Sequence, residues 1–166
     1  MLTKKIEKIL NKQILIEAES SQIYLAMAIW CETNGYEGMA EFMYNHSDEE
    51  RMHMMKFVKY VNERGGIAVV PALKAPSASF KSPGEMFDIV LKHEIFVSKA
   101  INNIVDITFQ EKDFATNNFL QWYVAEQIEE EALFRAVIDK IKLIDDKKNG
   151  FYMFDKDIKT MIVPTQ

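Results

Sequence analysis

The sequence predicts an all-α protein, a four-helix bundle with one long crossover connection and a short fifth helix. Four stretches of the 166-residue chain carry apolar side chains at alternating steps of three and four, the spacing of the buried stripe of a packed helix. Four prolines and six glycines leave few breaks in these stretches, and 48% of the residues are hydrophobic. We therefore expect residues 1–166 to form a single domain.

The first predicted helix runs from about Lys4 to Thr33. It ends at Asn34 and Gly35, residue types that adopt the left-handed conformation found after a helix C-terminus. Its buried stripe contains one charged residue, Glu17. Burying a lone carboxylate is costly, so this residue needs a partner from another helix.

The second predicted helix runs from about Gly38 to Arg64 and stops before a pair of glycines. Its stripe contains Glu50 and His53, which are three residues apart and so share one helix face. A carboxylate and an imidazole on one buried face are typical of a metal site. His46, one turn earlier, is expected to be a satisfied histidine of the core or of a cavity wall rather than a ligand.

The segment between Gly66 and Ser82 contains two prolines and has no helical period. About 17 extended residues reach roughly 55 Å, whereas a helix of about 27 residues spans only about 40 Å. The segment can therefore cross the whole bundle and make the second and third helices parallel. Its apolar Val69, Val70 and Leu73 need cover, either from a neighbouring subunit or from their own bundle.

The third predicted helix opens with Ser82, Pro83 and Glu85 in the pattern of a capping box with proline at the first helical position. It continues to about Glu111, and its stripe again contains one carboxylate, Glu94. This arrangement repeats that of the first helix.

The fourth predicted helix runs from about Phe114 to Lys148 and ends at Asn149 and Gly150 after a basic last turn. Its stripe contains a Gln-x-x-Glu pair, Gln127 and Glu130. Apolar residues spaced along residues 151–161 predict the short fifth helix.

Six polar residues of the four stripes repeat at the same spacing in both halves of the chain: Glu17, Glu50, His53, Glu94, Gln127 and Glu130. The second and third lie 33 and 36 residues after the first, and the fifth and sixth lie 33 and 36 residues after the fourth. The chain thus consists of two copies of one helix pair, offset by 77 residues. Two such pairs packed about a pseudo-two-fold axis would bring the six side chains into one layer.

Carboxylates with a single imidazole favour Fe(II), Mn(II) or a similar ion over metals that prefer thiolates. Five ligating groups with carboxylates that can bridge indicate two metal ions, as in helical bundles that hold two ions between Glu and Glu-x-x-His motifs. Fewer than three histidines in the layer argues against a catalytic zinc site.

Composition excludes several other classes of function. A net charge of −5 and a pI of about 5.3 argue against nucleic acid as the main partner. The single cysteine, Cys31, cannot form an intramolecular disulfide or ligate a cluster, and it suits a reducing cytosol. Without a signal-like start or an apolar run of about 18 residues, the chain is expected to be soluble and cytoplasmic, with no membrane partner.

The sequence resembles the bacterial non-haem ferritins over essentially its whole length. The resemblance rests on the run NFLQWYVAEQIEEE at residues 118–131 and on the following single residues: Glu17, Tyr24, Glu49, Glu50, His53 and Glu94. It implies a shell of 24 identical subunits in which Fe(II) is oxidised by dioxygen or peroxide and stored as a ferric mineral.

The resemblance also implies which residues bind iron. One iron position would be formed by Glu17, Glu50 and His53, and a second by Glu50, Glu94 and Glu130, with Glu50 bridging. Gln127 would stand beside the pair as a weak ligand or as a partner of a ligand. A third position toward the inner cavity would use a further set of carboxylates: Glu49, Glu126, Glu129 and Glu130.

Aromatic and histidine residues near the layer have two interpretations each. We expect Tyr24, two turns after Glu17, to hydrogen-bond a ligand or supply an electron rather than only fill the core. For Trp122 the two interpretations stay open, and His93 is not expected to belong to the site.

Haem is not expected as a cofactor. The related haem-containing proteins carry a methionine one residue after the site glutamate, and here that position is Arg51, with Met52 rotated about 100° away. The methionines are therefore expected to serve packing.

Two other functions stay open from the residues alone. One is a di-metal redox enzyme acting on an organic substrate, against which the short chain and Gln127 argue. The other is a purely structural bundle whose buried acids are neutralised by Lys or Arg, yet none of the four stripes carries either residue in the site layer.

Overall fold

The computed structural model describes residues 1–144 and 149–161, with the side chain of Asn149 left out, and these residues form an all-α bundle. Its helices are α1 (Lys4–Thr33), α2 (Glu37–Glu63), α3 (Pro83–Gln110), α4 (Phe114–Lys142) and α5 (Asn149–Asp157), followed by a 3-10 turn (Ile158–Met161). No strand occurs within these residues, so the predicted fold class is confirmed. In this part of the chain no helix has the length and apolarity to cross a membrane.

Local side-chain caps set the starts of α1, α3 and α4, and the last comes from Asp113, which accepts from the Thr116 N–H at 3.0 Å. Thr3 Oγ1 accepts a hydrogen bond from the Ile6 N–H at 3.3 Å and so caps α1. Ser82 Oγ accepts from the Glu85 N–H at 3.2 Å, as the capping box predicts for α3. Gly35 follows α1 with φ of 81°, a conformation that costs glycine little.

The predicted end of the fourth helix is wrong. Helix α4 stops at Lys142, because the N–H groups of Leu143 and Ile144 turn back to carbonyls three residues earlier, each at 3.2 Å. Lys140 and Lys142 in this last turn suit a helix C-terminus. Residues 145–148, which were predicted to be helical, lie outside the described residues. Helix α5 begins at Asn149, where the fourth helix was predicted to end.

The long crossover makes α2 and α3 parallel, as predicted. Arg64, just after α2, lies 3.2 Å from Asp113, which joins α3 to α4. The C-terminal ends of α2 and α3 therefore lie at the same end of the bundle. Helices α1 and α2 form one antiparallel hairpin, and α3 and α4 form the other.

Two apolar clusters fill the bundle on either side of a polar layer. One contains the fully buried Phe42, Phe87 and Phe134. The other lies toward the α3–α4 turn and contains residues such as Leu10 and Phe57. The polar stripe residues lie between these two clusters, which exclude water above and below them.

The crossover exposes its apolar side chains. Val69, Val70 and Leu73 are 58%, 93% and 41% exposed, so Val70 does not pack on its own bundle and the other two pack on it only in part. Asn11 ties the start of the segment to α1, because its side chain donates to Ile67 O at 2.9 Å and accepts from the Val69 N–H at 2.7 Å.

Helix α5 closes the opposite end of the bundle. Its Phe154 is buried in the apolar cluster around Phe42. The carboxylate of Asp155 accepts hydrogen bonds from the N–H groups of Gly38 and Met39, at 3.0 and 2.9 Å. Helix α2 thus receives its N-terminal cap from α5, since its own N-cap residue, Tyr36, provides no side-chain hydrogen bond.

Candidate metal centre

The six polar stripe residues are all buried. Their side chains come from four helices and are at most 5% exposed: Glu17, Glu50, His53, Glu94, Gln127 and Glu130. Four of them are carboxylates, which seldom occupy such positions without a compensating charge. The layer therefore needs either bound protons or a bound cation to offset its carboxylates.

The first predicted triad is assembled. Glu17, Glu50 and His53 offer ligand atoms that all lie within 4.8 Å of one another. His53 Nδ1 is 3.6 Å from Glu50 Oε2, too far for a hydrogen bond but suitable for a shared ion. On the opposite side, Gln13 Nε2 donates to Glu17 Oε1 at 2.7 Å and fixes that carboxylate.

Both carboxylate oxygens of Glu94 accept hydrogen bonds from other side chains. The Tyr24 hydroxyl donates to Oε1, and Gln127 Nε2 donates to Oε2 at 2.9 Å. The clusters of possible ligands that meet the same 4.8 Å limit in residues 1–144 and 149–161 do not include Glu50 with Glu94 and Glu130. The assignment of a second iron position to these three residues stays a prediction.

Two carboxylate oxygens in the layer lack hydrogen bonds. Within the described residues, Glu50 Oε2 and Glu130 Oε2 are buried and have no hydrogen-bond partner. Among the ion pairs within the described residues, the partners of Glu50 and Glu130 are His53 and His46. Neither carboxylate is paired there with a Lys or Arg. An unpaired buried carboxylate costs several kcal/mol or more, so a bound cation fits this donor set.

Burial and mutual repulsion make these acids hard to ionise. Burial raises the pKa of Glu17 and Glu50 well above the usual range, and neighbouring carboxylates raise it further. The pKa of Glu130 rises in the same way, while that of Glu94 rises less far because Tyr24 and Gln127 donate to it. A divalent cation would reverse this effect and displace the protons.

The predicted third set is only partly assembled. Glu49 is half-buried and joins two clusters within 4.8 Å, one with His46 and Glu130 and the other with His53 and Glu126. Glu129 is exposed and belongs to none of the clusters in the described part of the chain.

Sequence reasoning missed Gln13, which is 1% exposed. Its spacing of four residues from Glu17 is a detectable signal, because side chains at i and i+4 meet on a helix. It also missed that Lys56 Nζ lies 3.0 Å from the centre of the Trp122 ring. His93 hydrogen-bonds Ser20 at 2.7 Å and joins none of the described clusters.

Comparison with known proteins adds a family and named relatives. The family model described as a ferritin-like domain matches residues 7–144. The chain is 43% identical over 161 residues to the bacterial non-heme ferritin of Campylobacter jejuni, covering 97% of this chain and 96% of that protein. It is 42% identical over 158 residues to a probable bacterial non-heme ferritin-like protein of Haemophilus influenzae, covering 95% and 96%.

A solved ferritin structure is also similar to this chain. The novel open pore ferritin from the hyperthermophilic archaeon Archaeoglobus fulgidus superposes with a TM-score of 0.93 and 40% sequence identity, covering 96% of this chain and 98% of that chain. Both the fold and the sequence are therefore similar over almost the full length.

Proposed function

Since the chain belongs to the ferritin family, we propose that it stores iron and oxidises Fe(II) in the buried carboxylate layer. The observation that carries the proposal is the pair of buried, unpartnered oxygens of Glu50 and Glu130, in a layer whose described ion pairs include no Lys or Arg. Iron is the substrate of this reaction.

The residues have separate roles in this proposal. Glu17, Glu50 and His53 hold one ferrous ion, and Glu50, Glu94 and Glu130 hold the second. Tyr24 and Gln127 orient Glu94 through their hydrogen bonds, and Gln127 is available as a weak ligand. The outer carboxylates, Glu49, Glu126 and Glu129, accept ions that leave the pair.

The layer favours oxidation because anionic oxygens stabilise Fe(III) more than Fe(II). Two adjacent ferrous ions each give up one electron. Two electrons and two protons convert dioxygen to hydrogen peroxide, or peroxide to two waters. A pair of sites thus matches the electron count of either oxidant.

We also propose that the chain, as a single domain of residues 1–166, assembles into a hollow cytoplasmic shell of 24 copies, in which the ferric product collects. The family resemblance is what supports the number 24. The exposed Val69 and Val70 of the crossover support self-association.

The test is aerobic addition of Fe(II) to the metal-free protein, followed by ferric absorbance, first at two equivalents per chain and then in large excess. Glu50→Ala is compared with Asp48→Ala, which removes an exposed carboxylate of the same helix. We expect rapid oxidation that saturates near two ions per chain, continued solubility of the excess iron, and loss of the rapid phase in Glu50→Ala alone.

Two outcomes would contradict the proposal. Oxidation no faster than in buffer would leave a structural bundle. Rapid oxidation with precipitation of the excess iron would indicate a di-metal redox enzyme without a storage function.

A further inference from the structure

A third cluster of possible ligands lies beside the proposed iron pair and includes a histidine. His46, Glu49 and Glu130 offer ligand atoms within 4.8 Å of one another, and His46 and Glu130 are each 5% exposed. We propose that His46 is an iron ligand that, with Glu49 and Glu130, forms a further Fe(II) position. This inference rests on the proposed function, since it assumes that Fe(II) enters the layer.

The hydrogen bonding of His46 leaves one ring nitrogen for a metal. Nδ1 lies 2.8 Å from the Phe42 carbonyl oxygen, which can only accept, so Nδ1 carries the hydrogen. In the neutral ring Nε2 then presents a lone pair. The ring is held between Phe42 and Phe134, whose centres lie 4.3 and 5.1 Å from its own, so Nε2 has a fixed direction.

The direction of Nε2 leads to an oxygen that lacks a partner. Nε2 is 3.7 Å from Glu130 Oε2, the buried oxygen without a hydrogen bond in the described structure. At this separation the nitrogen lone pair and the carboxylate oxygen form no hydrogen bond, and a cation between them could bind both. Two ligand atoms that each lie about 2.1 Å from one ion, at an angle of about 120°, are about 3.6 Å apart.

The third ligand gives the position a route outward. Glu49 is half-buried, whereas His46 and Glu130 are buried. An ion held by these three residues would therefore lie between the buried layer and solvent. Glu130 belongs to the proposed pair as well and would pass an ion from one position to the other. One imidazole with two carboxylates is a donor set suited to Fe(II).

This position differs from the third set expected from the sequence. That set consisted of carboxylates alone and included Glu129, which is exposed. His46 was expected to be satisfied within the core, but only its Nδ1 is within hydrogen-bonding distance of a partner in the described residues.

The test is an anaerobic titration with Fe(II), in which bound ions per chain are counted by equilibrium dialysis. We expect three ions per wild-type chain, and in His46→Gln we expect two, with affinity for the third weakened at least about tenfold. His93→Gln is the matched control, since it removes a histidine outside the clusters. It should retain all three ions.

Wild-type crystals soaked anaerobically in Fe(II) give a second readout that does not depend on how the variant folds. Anomalous density at the iron edge is expected within about 2.3 Å of His46 Nε2. Two bound ions with no density at His46, or a third ion held equally well by His46→Gln, would overturn this inference alone. No bound ion in the wild type would overturn the proposed function as well.

Discussion

Two buried amides hold carboxylates on opposite sides of the layer. Gln13 donates to Glu17 at 2.7 Å, and Gln127 donates to Glu94 at 2.9 Å. Glu50 instead keeps an oxygen without a hydrogen bond in the described structure. An amide that occupies one oxygen favours binding of a metal through the other, so we expect Glu17 to be a one-oxygen ligand, while Glu50 stays free to bridge.

Replacement of Gln13 by Leu tests this arrangement. The change keeps the side-chain volume but removes the donor to Glu17, so the affinity for the first Fe(II) should fall about tenfold to hundredfold. Anaerobic titration of the metal-free protein measures it. Gln121→Leu, at an exposed position of α4, is the control, and equal affinities in the two variants would show that Gln13 does not position Glu17.

The pKa of Glu50 predicts how stability depends on pH. Burial first, and then neighbouring carboxylates, raise this pKa well above its ordinary value of 4.5. Because the folded value lies above the unfolded value, the stabilising contribution is complete below pH 4.5 and disappears as the pH rises through the folded value. Above pH 4.5 the unfolded chain ionises this carboxyl more readily than the folded protein does, so Glu50 lowers the stability of the metal-free protein at neutral pH.

Glu50→Gln should consequently be more stable than the wild type at neutral pH without metal, by on the order of 1 kcal/mol or more. The difference in unfolding free energy should shrink as the pH falls below 4.5, because the Glu50 carboxyl is then neutral in both the folded and the unfolded state. Denaturant unfolding at a series of pH values measures it. A difference that grows toward low pH would contradict this assignment.

The sequence predicted which residues occupy the layer but not how their side chains bond. The stripe spacing identifies buried positions, and all six predicted residues are buried. The bond from Tyr24 to Glu94 crosses from α1 to α3, and its formation depends on rotamers that spacing within one helix does not specify. Gln13, by contrast, is on the same helix as its partner and could have been identified.

Helix α2 depends on a cap borrowed from α5. Gly38 lies where a side chain has no room, since a Cβ there would be 1.6 Å from the Asp155 carbonyl oxygen. The cap comes from a residue more than a hundred positions later, so no local pattern predicts it. The caps at Thr3 and Ser82 are local and were accessible from sequence for that reason.

Gly38→Ala should therefore destabilise the protein, although alanine is favoured in helices by about 1 kcal/mol. The added methyl group must displace α5 and weaken the Asp155 hydrogen bonds. Thermal unfolding and protease cleavage near α5 measure the effect. Gly84→Ala is the control, because its nearest neighbour is 3.7 Å away, and equal effects of both changes would refute the steric argument.

The bundle as a whole presents an apolar edge along its crossover. The resemblance to bacterial non-haem ferritins is confirmed. Val70 is 93% exposed, and the sequence left open what would cover it. A contact between two copies involves residues that are far apart in the sequence. The spacing of apolar residues within one helix cannot predict such a contact.

Val70→Asp should weaken self-association, because a charge at a buried contact is costly to desolvate. Sedimentation velocity should show smaller species for this variant at low protein concentration. Val70→Thr, which keeps the shape without adding charge, should sediment more like the wild type. Unchanged assembly of Val70→Asp would place the contact elsewhere.

The crossover also has a topological consequence. In the described structure it contains no helix and supplies none of the six layer residues. Its hydrogen bonds to α1 are near its start, at Ile67 and Val69, and near its end Phe80 packs on Trp30 of α1. Each hairpin on either side of it is complete. The protein is in effect a dimer of hairpins within one polypeptide. A single peptide-bond break at residues 74–79 would divide the chain into two pieces, each of which keeps both helices of its hairpin and the layer residues that they carry.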